Sequence, residues 1–324
     1  MGLMKPVFKV IVGGEDITSR LSDRLISLLV SDEAGFKSDT VSILLDNRDQ
    51  RVAMPSKGAE LKVSLGYRGE GVLFTGRYTV DEVSVSGTPL RMTIAGKAAN
   101  MRAGLKERKT RSFSDTTLGD LVATVAADNS MTPKVSDDLA SIAVAQVDQT
   151  NESDIHLLTR LAADYGAVSK PANGFLLFVK RGQAKSVSGQ LIPAVTIKEN
   201  QVSSYRFTFA DRGKYQSVVA HWHNTASGER EPVSAGAGSP AYTLRGSYPD
   251  QASAQAAAAA KLASLQRGEG VGSITLSGNP RLAAEGVVSL SGFMSGVDGD
   301  WVASRVEHSL TDTLTTTVSL EMRK

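Results

Sequence analysis

The chain has 324 residues, which at about 150 residues per domain predicts two domains or three. Hydrophobic residues make up 41%, enough to bury a substantial core, so a disordered chain is excluded. Thirty-six Lys and Arg against 34 Asp and Glu leave a net charge of +2, and cysteine is absent, which excludes a polybasic nucleic-acid or membrane binder, a disulfide scaffold and any thiolate chemistry.

The N-terminal residues Met1 to Pro6 carry no long apolar run. The longest apolar stretches, Leu25 to Ser31 and Ala252 to Ala260, fall short of the roughly 18 residues of a spanning helix, so the chain reads as soluble, with no membrane partner.

Residues 5 to 100 predict short strands: Val7 to Val12, Leu25 to Val30, Val41 to Leu45, Leu61 to Leu65, Val72 to Val80 and Leu90 to Ala95. Strands without helices between them predict a small barrel or sandwich. After Asn100 the period changes. Leu118, Leu121, Val122 and Val125 mark one helix, with Ser114 or Asp115 as its cap. A second helix carries Ile155, Leu158, Leu161, Ala162 and Tyr165 on one face. Asn151 is its expected cap, Asp154 reaches back, and Gly166 ends it in a left-handed turn. Phe175 to Val179 is the next strand.

Strands return at Val195 to Ile197, Tyr205 to Phe209 and Ser217 to Trp222, followed by a loop expected to be mobile over Ser234 to Pro240. Pro249 and Asp250 start a helix whose alanine-rich face suits close packing on a sheet, and it stops at Gly268. Ser273 to Leu276, Val287 to Leu290, Trp301 to Val306 and Leu314 to Glu321 complete the chain. The expected fold is mainly β with an α+β insertion. Residues 1–100 form a first β-barrel completed by about 191–215, 101–190 the insertion, and 216–324 a second barrel with an Ala-rich helix at about 250–267.

An internal duplication supports two barrels. Leu61 to Tyr67 and Val287 to Phe293 are each an apolar strand ending in Gly-aromatic. Each is followed by an aromatic residue, Tyr78 or Trp301, with a valine five residues on, Val83 or Val306. That odd spacing puts the two side chains on opposite faces unless a bulge intervenes.

Catalytic patterns are sparse. His221 and His223 share one face of a strand, but Trp222 lies between them and no third metal ligand is near in sequence. His156 sits beside Arg160 on a helix flank as a solvated contact. Glu152 and Asp154 fall in a first helical turn, where the dipole favours carboxylates. Gly268 to Gly272 has the wrong spacing for a dinucleotide loop. Lys106, Arg108, Lys109 and Arg111 read as a solvated segment, with a phosphate contact as the alternative.

The run from Gln149 through Asn151, Glu152, Ser153, Asp154, Arg160 and Leu161 to Gly166 resembles the "Q-x-N-E-S-D…R-L-A…G-A" segment of the phage late control D protein family. That family comprises baseplate hub proteins of contractile-tailed phages and is similar to the N-terminal half of type VI secretion (VgrG) spikes. Gly278, Pro280 and Gly286 resemble its "G-x-P-x-L-x-x-G" turn, although Ala284 and Glu285 stand where the family often has a second glycine. Trp301, Val306 and His308 resemble its closing "W-x-V-x-x-V-x-H" hairpin.

The resemblance implies a structural protein with no catalytic residues and no cofactor. It implies two tail-tube-like barrels per chain and a homotrimeric ring joining a six-fold tail tube to a three-fold spike, with tape-measure and baseplate wedge proteins as further neighbours. It places the protein in the virion tail, assembled in the bacterial cytoplasm, without specific nucleic-acid binding. Because this chain ends at Lys324, the spike is expected to be a separate polypeptide. The alternatives are a tail-associated cell-wall hydrolase and the hub part of a type VI secretion-like spike.

Overall fold

The computed structural model describes residues 5–35, 37–98, 103–172, 174–181, 193–210 and 215–323. The first segment contains β1 (Pro6–Val12), β2 (Glu15–Asp16), α1 (Thr18–Ser22), β3 (Leu25–Glu33), β4 (Thr40–Asp46), β5 (Glu60–Tyr67), β6 (Gly71–Ser86) and β7 (Arg91–Ala98). Alternation decides which face is buried: Val41, Ile43 and Leu45 on β4, Leu61, Val63 and Leu65 on β5, and Met92 and Ile94 on β7 all point into one core.

The second segment holds α2 (Ala103–Lys106), β8 (Arg108–Thr117), α3 (Leu118–Asp128), β9 (Thr132–Val135), α4 (Asp137–Ala140), β10 (Ala143–Ser153), α5 (Asp154–Asp164), β11 (Ala167–Ala172) and β12 (Phe175–Lys180). It has its own core of Leu118, Leu121, Val125, Leu157, Leu161 and Phe178, in line with the expected α+β insertion. Its expected ends, Asn100 and Ile192, lie outside the described residues. Two helix starts differ from expectation. Residues 108–117 form a strand, so Thr117, not Ser114 or Asp115, caps α3 by accepting the Asp120 N–H. Ser153 caps α5 by accepting the His156 N–H, while Asn151 lies at a β10 register shift with φ +49°. Gly166 is left-handed as expected, at φ +62°.

The third segment holds β13 (Val195–Lys198), β14 (Val202–Phe209), β15 (Ser217–Asn224), β16 (Glu229–Gly236), β17 (Ala241–Thr243), α6 (Gln251–Arg267), β18 (Gly270–Ser277), β19 (Val287–Ser291), β20 (Gly299–Leu310) and β21 (Leu314–Met322). Residues 193–209 do not return to the first half as expected: β13 pairs with β19 and β14 with β18. The alanine helix α6, capped by Asp250, packs on its own three-stranded sheet β16-β15-β17. Ala254 and Ala258 meet Val218, Ala220 and Ala235 there, an approach that larger side chains would prevent. The first three residues of the expected mobile loop, Ser234 to Gly236, belong to β16.

The remaining strands form one continuous 13-stranded sheet. Within it the two halves repeat. In chain order the first uses β1, β3, β4, β5, β6 and β7, the second β13, β14, β18, β19, β20 and β21. Both lie in the sheet as first-fourth-fifth-sixth-third-second: β1-β5-β6-β7-β4-β3 and β13-β19-β20-β21-β18-β14. Two bulges coincide. β3 and β14 each slip at their second residue, Ile26 and Ser203. β6 and β20 each slip three residues after the aromatic, at Asp81 and Ser304. The second slip settles the odd spacing: Trp301 and Val306 both reach the core, 2% and 0% exposed. The halves also differ: β1 runs antiparallel to β5 and β13 parallel to β19, and β6 slips at Thr75 against β5 where β20 pairs with β19 without a slip. The halves are joined where β20, past its bulge, pairs with β3.

Candidate functional site

The Gln149–Gly166 motif is a buried ion-pair lock. The register shift in β10 turns the chain so that Asp154 enters the insertion core, where it is fully buried. Its Oδ2 accepts from Lys109 Nζ at 2.7 Å and Asn129 Nδ2 at 2.9 Å. Its Oδ1 accepts from Arg111 Nη2 and Gln149 Nε2, both at 2.9 Å. Burial opposes the charge, but the hydrogen bonds from Lys109, Gln149 and Asn129 and the Arg111 charge outweigh it, and the carboxyl is held below its usual range. Gln149, also fully buried, accepts from Arg111 Nε at 2.7 Å and donates to the Glu152 carbonyl at 2.8 Å.

Glu152 closes the outer side. It accepts from Arg160 Nη2 at 2.9 Å and meets His156 Nδ1, and Arg160 also donates to the Asp148 carbonyl at 3.1 Å. Burial resists the Glu152 charge, yet the hydrogen bonds from Arg160 and His156 and the Arg160 charge keep its carboxyl below the usual range. The paired acids thus do more than complement a helix dipole. The basic segment is likewise not simply solvated: Lys109 and Arg111 lie on β8 facing Asp154 and Asp128. Leu161 anchors the helix in the core, and Gly166 follows it against Ala260 of α6.

A second charged cluster, invisible in the sequence, ties three segments together. Lys170 Nζ on β11 donates to Asp32 Oδ1 at 2.9 Å, Asp39 Oδ1 at 2.7 Å and the Glu33 carbonyl at 2.8 Å. Asp32 Oδ2 accepts the Ala284 N–H at 2.8 Å, reaching the turn before β19. Burial, then the neighbouring Asp32 charge, push the Asp39 carboxyl up to about 7. Burial opposes the Lys170 charge too, but the two carboxylates raise its pKa. The only sequence signal was three isolated charges, Asp32, Asp39 and Lys170, which resemble ordinary surface residues.

The turn over Gly278, Pro280 and Gly286 is shaped by close approach. A Cβ on Gly278 would stand 2.2 Å from Leu314 Cγ. The Gly286 carbonyl accepts the Ala303 N–H at 2.9 Å. Glu285, where the resembling family often has glycine, has φ +65°, a left-handed backbone that glycine adopts without cost. Trp301 donates its indole N–H to the Val297 carbonyl at 2.8 Å and contacts the Phe207 ring at 5.0 Å. A groove of about 1000 Å³ runs between the halves, lined by Tyr67, Gly71, Thr196, Gln201, Gly278 and Arg281.

His221 and His223 lie on β15, between β16 and β17. Among the described residues no group of three or more His, Asp or Glu side chains is placed to hold a metal ion.

The family model described as "Phage tail baseplate hub (GPD)" matches residues 44–314. A probable baseplate hub protein of Escherichia phage 186 is 36% identical over 99% of this chain and 94% of its own length. The 43 kDa tail protein of prophage MuSo2 from Shewanella oneidensis shares the fold at a TM-score of 0.71 and 15% identity, covering 97% of this chain and 98% of that one. A chain of the Francisella PdpA-VgrG complex matches over 99% of this chain and 53% of that one, at a TM-score of 0.59 and 8% identity. With the family model spanning most of its length and a full-length relative above 30% identity, the chain belongs to the phage tail baseplate hub family.

Proposed function

We propose that the chain is a hub subunit that assembles as a homotrimeric ring and joins a six-fold tail tube to a three-fold spike. The observation that carries this is the repeated strand order, with both bulges, in the two halves. Three copies of a chain with two similar tube-like units present six units to a tube and keep three-fold symmetry toward a spike. The differences between the halves, such as the direction of β13 against β1, suit a six-fold match on one face only.

The partners in this reading are the tail tube protein and a separate spike, with tape-measure and wedge proteins beside them, brought together in the bacterial cytoplasm. The function is symmetry matching without a chemical step. A cell-wall hydrolase needs a proton-donating acid in a cleft. Here Glu152 and Asp154 are committed to ion pairs, and Asp39 is held by Lys170. Light scattering of the purified chain tests the reading. A three-chain mass that binds recombinant spike is the expected result. A single-chain mass at micromolar concentration, with and without spike, would overturn it.

A further inference from the structure

The joint inside the chain shows what covers two edges that the chain leaves open. Past its bulge, β20 pairs with β3 from Arg305↔Glu33 to Leu310↔Leu28. By the repeated strand order, β6 is the counterpart of β20 and β14 the counterpart of β3. Past its own bulge, β6 over Glu82 to Ser86 pairs only with β7 among the described residues. β14 pairs only with β18 among them. One chain therefore carries both parts of a second joint, unmade.

Exposure marks the same places. In the joint that is made, Leu28 and Val30 on β3 are 0% and 1% exposed, and His308 on β20 is 3%. At the equivalent positions, Tyr205 on β14, counterpart of Leu28, is 48% exposed, and Val85 on β6, counterpart of His308, is 45%. Phe209, on the same face of β14, is 50% exposed. An open strand edge backed by half-exposed aromatic rings is an aggregation hazard unless another strand covers it.

We propose that β14 of one chain pairs antiparallel with the Glu82–Ser86 stretch of β6 in a second copy of the chain. Counting from the paired bulges sets the register: Val83↔Phe209, Ser84↔Thr208, Val85↔Phe207 and Ser86↔Arg206. Val83 and Val85 then cover the aromatic face, as Val306 and His308 cover β3. The contact is head-to-tail, and in the trimer proposed above it gives a closed ring of alternating joints, one within each chain and one between chains. This rests on the ring reading above and names the surface that makes the ring.

The chain has no cysteine, so engineered thiols report the register directly. Ser304 accepts the Ala34 N–H at 3.0 Å, which makes Glu307↔Ser31 a pair without mutual hydrogen bonds. Its counterpart, Ser84↔Thr208, then has Cα atoms about 4.5 Å apart, within disulfide reach. Mild oxidation of the Ser84→Cys/Thr208→Cys full chain is expected to give reducible two- and three-chain species. Val85→Cys/Thr208→Cys, whose thiols point to opposite faces, is expected to stay single. A three-chain mass without the Ser84–Thr208 link would overturn the pairing and leave the ring standing, whereas a single-chain mass for the unsubstituted protein would overturn both. Val85→Asp is expected to weaken assembly more than tenfold while unfolding stays cooperative. Unchanged assembly of that variant would also overturn the pairing.

Discussion

Lys170 and Asp32 are 138 positions apart in the chain and 2.9 Å apart in the fold. Their contact, with Asp39 as second acceptor, fastens the insertion to the main sheet, and through Ala284 to the second half.

Removing the cation leaves two largely buried carboxylates facing each other. Lys170→Met is expected to cost about 2–4 kcal/mol, somewhat less than the about 3–5 kcal/mol for a fully buried pair, because these side chains keep some exposure. Chemical denaturation measures the loss. Limited proteolysis should cut between the insertion and the sheet at rates the parent does not show.

Asp39 has a signed pH signature. Its carboxyl is raised from 3.8 to about 7 in the fold, so between those values the folded chain binds more protons than the unfolded one. Stability from this group is present below about 4 and falls as pH rises through about 7. Asp39→Asn removes that slope while other titrating groups stay common to both proteins. The stability difference between parent and variant, followed by denaturant midpoint from pH 4 to 8, is expected to move against the parent as pH rises. A flat difference would refute this.

Asp154→Ala leaves Lys109 and Arg111 with Asp128 as their remaining carboxylate and removes one acceptor each from Gln149 and Asn129. The expected loss is about 3 kcal/mol at neutral pH. The Asp154 pKa is lowered in the fold, so its contribution is full above the unfolded value and fades as pH falls through the folded one. The gap between parent and variant should therefore narrow in acid, as thermal melts at pH 7 and pH 3 will show.

Gly278→Ala forces a methyl against Leu314. The expected cost is about 1–3 kcal/mol, as for overpacking elsewhere. Leu314→Ala alone should cost about 2–5 kcal/mol through its cavity. The double variant should lose less than the sum, and a double-mutant cycle giving strict additivity would show that the two do not compete for space.

By itself the sequence determined what is local. Alternation in β4, β5 and β7 named the buried face, and Asp250 and Gly166 marked helix ends, because those signals act over a few residues. The spacing of Tyr78 to Val83 and Trp301 to Val306 carried the repeat, since a bulge shifts the hydrophobic period in the chain itself. Tertiary structure decided which edges meet. Nothing near Val195 or Val202 specifies β19 and β18 as neighbours; that pairing is chosen by the hydrogen bonds and burial of strands about 60 to 90 residues away. The same holds for Asp154 and Lys170. A lone charge in a short strand reads as solvated until the fold removes its water and supplies a partner, and only the folded chain brings Lys109, Arg111, Asp32 and Asp39 within reach.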